Sequence, residues 1–78
     1  MARVLRFRNF GVYVLDERGS PHHLPHAHIR LRGQHVASVF LLTLELFNVA
    51  GDIDGDLVAE LEDHHAELLA AWEELNGD

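Results

Sequence analysis

Five of the seven histidines fall within fourteen residues: His22, His23, His26, His28 and His35. The part of this cluster with a definite geometry is Pro25-His26-Ala27-His28-Ile29-Arg30. On an extended strand, side chains two residues apart share a face, roughly 6–7 Å from one another. Two imidazoles so placed can converge on Zn²⁺ or a similar transition metal. A third ligand would come from His22, His23, His35 or an acidic side chain. The same pair can instead divide general-base and general-acid duties on a phosphodiester, because imidazole titrates near neutrality. Arg30 and Arg32 follow on the same alternation, where guanidinium groups would hold phosphate or stabilise a charged transition state. His26, His28 and Arg30 are thus the candidate catalytic residues, and the five clustered histidines the candidate metal ligands. The plain alternative is a set of solvated side chains on the wet face of an antiparallel sheet.

The charge distribution extends this reading. The net charge is −7, yet all six basic residues are arginines within the first 32 positions. Eleven of the thirteen acidic residues lie from Glu45 onward. The acidic balance argues against non-specific nucleic-acid binding, while a local arginine patch remains suited to phosphate. Arg6, Arg8, Arg30 and Arg32 are the candidate phosphate or partner contacts. The absence of lysine excludes side-chain Schiff-base chemistry and a P-loop. The absence of cysteine excludes disulfides and a thiol nucleophile. His64-His65 lacks the four-residue spacing of a zincin helix. Ser20, Ser38 and Thr43 carry no local signature of an activated nucleophile.

These residues must be positioned by strands. Val4–Arg8 alternates, with Leu5 and Phe7 opposed to Arg6 and Arg8, and Phe10–Leu15 is rich in aromatic and β-branched residues. Ala27, Ile29 and Leu31 point one way, and His26, His28, Arg30 and Arg32 the other. Gly33-Gln34 reads as a hairpin turn, with His35–Leu42 returning as a strand apolar on both faces. Leu57, Leu61, Leu68, Trp72 and Leu75 mark an amphipathic helix, with Asp54 or Asp56 as its cap and Gly77 at its end. Thr43–Gly51 fits a loop or a short helical turn. The expected fold is α+β, two-layered, with about four antiparallel strands and one long C-terminal helix on one face. That helix covers Ala27, Ile29 and Leu31, leaving the histidine–arginine face outward.

Around Pro25-His26-Ala27-His28-Ile29-Arg30 the chain resembles a family of very small bacterial proteins known only as a domain of unknown function. That family carries a Pro-Pro-His-x-His motif after an aromatic-rich strand pair. It ends in a helix with a leucine pair and a tryptophan, matched here by Leu68-Leu69 and Trp72. The resemblance runs from Arg3 to Gly77, with Leu24 in place of the first proline and His22-His23 additional. It implies a second small protein as partner, in an arrangement like a toxin–antitoxin pair. It carries over no activity.

Seventy-eight residues allow one domain, 1–78, and place it where a lone core is marginal. A dimer or hetero-complex is therefore expected, the two-faced strand from Val36 to Leu42 supplying the surface. No stretch has the length of a membrane span or signal peptide, so the expected location is the cytoplasm. The expected function is a small interaction protein acting with a second protein or itself. The alternatives are a metal- or histidine-dependent ribonuclease-like hydrolase, with RNA as partner, and a simple transition-metal-binding protein.

Overall fold

A computed structural model describes residues 2–15 and 24–76. The alternating N-terminal half forms β1 (Ala2–Phe7), β2 (Phe10–Val14), β3 (His26–Leu31) and β4 (Gln34–Phe40). A short β5 (Leu46–Phe47) completes one antiparallel sheet whose strands lie side by side in chain order. The fifth strand falls in the segment that propensity left open between loop and helical turn. Leu46 and Phe47 pair with Val39 and Ser38, so the β4 edge decides their conformation.

The β3–β4 turn lies one residue earlier than the glycine suggests. Leu31 pairs with Gln34, leaving Arg32 and Gly33 as a two-residue connection. Both have positive φ, 52° and 84°, as a type I′ hairpin requires. Arg32 therefore leaves the strand alternation. A bulge follows, because Ile29 faces Ala37 while Arg30 faces His35, so Val36 is the extra residue.

One sheet face carries Val12, Val14, Ala27, Ile29, Ala37 and Val39, all fully buried beneath Leu57, Leu61 and Leu68. The single long helix expected from the leucine spacing is instead two: α1 (Gly55–Asp63) and α2 (His65–Asn76). Asp54 caps α1 by accepting the Asp56 N–H at 2.9 Å. Arg8, in the β1–β2 turn, pairs with Asp54 and Asp56 and ties the start of α1 to that end of the sheet. At the other end, His65 donates to the Leu41 carbonyl, just after β4. Asn76 donates to the Leu15 carbonyl, just after β2, at 2.9 Å. With β3 lying between β2 and β4, α2 crosses the ends of all three strands. No straight helix can both start beside Arg8 and cross those ends, and the break at His64 makes the corner. The proposed stop at Gly77 lies outside the described residues.

Along the two-faced apolar strand, Val36, Ala37, Ser38 and Val39 are buried within the chain, whereas Leu42 just beyond β4 is 60% exposed. Among the described residues, no helix is long and apolar enough to cross a membrane.

Candidate functional site

Cross-strand partners share a sheet face, so the register defines what the outer face presents. One row runs Arg6–Gly11–Arg30–His35 across β1 to β4. The next runs Tyr13–His28–Ser38–Phe47 across β2 to β5. His26 and Phe40 pair beyond it. The hairpin thus brings His26, His28, His35 and Arg30 together, and β1 adds Arg6.

His26 departs from the expected outward placement. It is buried, and its Nδ1–H donates to the Leu24 carbonyl at 2.9 Å. Its ring centroid lies 5.2 Å from that of Trp72 and 5.2 Å from that of His28. The cause is α2: crossing the strand ends, it lays Trp72 over the first residue of β3. Trp72 belongs to the same core as Ala27, Ile29 and Leu68, with Leu31 packed against it, and its ring also meets His26.

The arginines separate into two groups. Arg8 turns away to Asp54 and Asp56, and its guanidinium also lies 4.8 Å from the Phe7 ring centre. It is thus engaged in holding α1. Arg6, Arg30 and Arg32 instead line one open depression of about 240 Å³, together with Asn9, Gly11 and Tyr13. Arg6 and Arg30 stand on either side of Gly11 in the register, and the glycine leaves the space between them to the Tyr13 ring. A methyl group there would sit 2.7 Å from a Tyr13 ring carbon, so the ring fills the floor only because position 11 has no side chain. The Arg30 guanidinium lies 5.4 Å from the Tyr13 ring centre, a cation–π distance that holds it along the rim. Arg32, although outside the strand alternation, reaches the same hollow from the turn.

Beside this hollow the two outer histidines are joined by a hydroxyl. Ser38, 2% exposed, places its Oγ 3.2 Å from His35 Nε2 and 3.4 Å from His28 Nδ1. The His28 and His35 ring centroids are 6.0 Å apart. A hydroxyl has one proton and two lone pairs, so Ser38 can bridge the two imidazoles, donating to one and accepting from the other. Local sequence gave no reason to single out Ser38. Its signal is the hairpin register, which sets it opposite His28.

Among the described residues, no group of three histidine or acidic side chains is arranged to hold a metal ion. His22 and His23, two of the five candidate metal ligands, lie outside the described residues. His64 and His65 sit at the helix corner, away from the hollow. His64 Nδ1–H donates to the Glu67 carboxylate at 3.0 Å, and His65 donates to the Leu41 carbonyl just after β4.

No family model matches the chain, and no curated protein or solved structure is significantly similar to it.

Proposed function

We propose that this is a small interaction protein whose outer sheet face receives a phosphate-bearing partner. The observation that carries this reading is the Arg6–Gly11–Arg30 row, in which two guanidinium groups flank a gap floored by Tyr13. Guanidinium presents paired N–H donors that match two phosphate oxygens, and Arg32 adds a third positive charge at the rim. The net charge of −7 makes such a local site selective, since the rest of the molecule repels polyanions.

The test is titration of the protein with inorganic phosphate and with a short single-stranded oligonucleotide. Arg30→Gln should weaken oligonucleotide affinity by about tenfold or more. Affinity in the wild type should also fall as salt is raised from about 50 to 200 mM. Binding that is unchanged by Arg6→Gln and Arg30→Gln would exclude the hollow as its seat.

A second feature favours a protein partner as well, in keeping with the paired arrangement that the family resemblance implies. Leu24 and Leu42 are each 60% exposed and, with Pro25 and Phe40, line an apolar depression of about 190 Å³. Exposed apolar side chains grouped around a hollow are a common seat for a partner's anchor residue. Co-purification with a second small protein, abolished by Leu42→Asp, is the corresponding test.

A further inference from the structure

Three guanidinium groups converge on one hollow rather than being spaced along a track, and this sets how much negative charge the hollow suits. Arg6 and Arg30 reach it from their strands and Arg32 from the β3–β4 turn. Among the described residues, none that lines it is acidic. We infer that the phosphate received there is a terminal phosphomonoester, carried on a side chain of a protein partner. This inference rests on the phosphate-binding reading above and names the class of partner.

The oxygen count supports a monoester. A phosphodiester has two free oxygens and a single negative charge. A monoester has three free oxygens and, with a second pKa of about 6, carries close to two charges at neutral pH. Each free oxygen can then meet its own guanidinium in a charge-assisted hydrogen bond.

The backbone at Arg32 points the same way. This residue opens a two-residue hairpin turn at φ 52°, in the left-handed region that asparagine or glycine occupies at lower cost. Its N–H donates to the Asn9 carbonyl at 3.3 Å, tying this turn to the β1–β2 turn at the rim of the hollow. Arg8, at φ 55° in that neighbouring turn, is committed to Asp54 and Asp56. Arg32 instead lines the hollow, so its guanidinium is what the costly conformation brings to the site.

The rest of the outer face suits a polypeptide. Past the arginine row it presents Tyr13, His28, Ser38 and Phe47 from β2 to β5. Phe40 stacks on Phe47 with ring centroids 4.1 Å apart and, with Leu24 and Leu42, lines the apolar depression. A polynucleotide would bring many further phosphates to a molecule of net charge −7, whereas a phosphorylated protein brings one phosphate together with apolar side chains. Arg30 stands about 13 Å along β3 from His26, the cross-strand partner of Phe40. An extended peptide covers that distance in about four residues. The partner segment therefore carries its phosphorylated residue about four positions from a large apolar one.

The experiment titrates the full chain at neutral pH with inorganic phosphate, phenyl phosphate and methyl phenyl phosphate. Two further probes are a phosphoserine peptide with leucine about four residues to either side, and an oligonucleotide with and without a 5′-phosphate. Phenyl phosphate should bind at least about tenfold tighter than its methyl ester. The phosphopeptide should bind tighter still, and its unphosphorylated form should lose at least about tenfold. Arg32→Asn should narrow the preference for the monoester while leaving the melting temperature unchanged or raised. Leu42→Asp should weaken binding of the phosphopeptide but not of inorganic phosphate. Equal affinity for phenyl phosphate and its methyl ester, or an unchanged preference in Arg32→Asn, would overturn the monoester assignment. A lower melting temperature in Arg32→Asn would assign that residue to the fold instead. A phosphopeptide no tighter than phenyl phosphate, or indifferent to Leu42→Asp, would overturn the protein partner. A 5′-phosphorylated oligonucleotide that binds more tightly than the phosphopeptide would replace that partner with a nucleic-acid end. Absence of binding by inorganic phosphate and by every ester would instead overturn the reading on which the inference rests.

Discussion

The Trp72 and His26 rings lie with centroids 5.2 Å apart, so the helical layer touches the first histidine of the Pro-His-x-His segment directly. This contact sorts the motif into two parts with different duties. His26 is a structural member of the core rim, hydrogen-bonded to Leu24 and covered by Trp72. His28, one alternation further along, remains half-buried beside Ser38 and the arginine hollow.

Trp72→Ala should cost about 3–5 kcal/mol, because it removes a large buried ring and leaves a cavity over His26. For a domain of this size that is a large part of the total stability. Urea denaturation measures the loss, and the imidazole resonances of His26 should shift with it. A variant of unchanged stability would show that α2 does not cross the strand ends as described.

Much of the fold could be read from the chain because its periodicities are unambiguous. Val12, Val14, Ala27 and Ile29 form the buried face that their alternation implies, and Leu57, Leu61 and Leu68 cover it. The departures come from effects outside any local window. Arg32 leaves the histidine–arginine face because the two-residue turn takes it rather than Gln34. The helix breaks at His64 because its start is anchored at Arg8, at one end of the sheet, while His65 and Asn76 are both held at the other end, at Leu41 and Leu15. The candidate site was legible in part. His28, Arg30, Arg6 and His35 are visible as residue types on strands, but their meeting depends on register. Gly11, Tyr13 and Ser38 have no meaning until β1 to β4 are laid side by side.

Gly11→Ala tests the hollow with little disturbance elsewhere. The added methyl meets the outer part of the Tyr13 ring at 2.7 Å, which must swing aside. A partly buried ring can do so at modest cost, and alanine restricts the unfolded chain, so stability should change by less than about 1 kcal/mol. Oligonucleotide affinity should nevertheless fall, because the displaced ring no longer floors the gap or holds Arg30. Thermal denaturation and a binding titration on one sample read both quantities. Equal affinity in the variant would remove Tyr13 and Gly11 from the site.

Arg8 provides the matching control. Its ion pairs with Asp54 and Asp56 are exposed and should contribute no more than about 1 kcal/mol. Arg8→Gln should therefore slightly loosen the start of α1, visible as faster amide hydrogen exchange over Leu57–Leu61. Phosphate and oligonucleotide affinity should stay within about twofold of the wild type, unlike Arg30→Gln. A loss as large as that of Arg30→Gln would place Arg8 back among the phosphate contacts.

His64 sits at the corner between α1 and α2 and should make stability depend on pH. Its hydrogen bond to Glu67, 3.0 Å long, raises its pKa above the ordinary 6.5, and the charges of Glu67, Glu60 and Asp63 act in the same direction. Desolvation opposes them without reversing the result. A group whose pKa is raised by folding binds protons more tightly in the native state. Its stabilising contribution is therefore fully present below pH 6.5 and is lost as pH rises through the elevated native value. Melting temperature measured from pH 5 to 9 should thus decline across that interval more steeply in the wild type than in His64→Gln. Glu67→Gln should flatten the profile in the same way, since it removes the principal partner. Parallel profiles in all three proteins would show that the His64–Glu67 contact does not persist in solution.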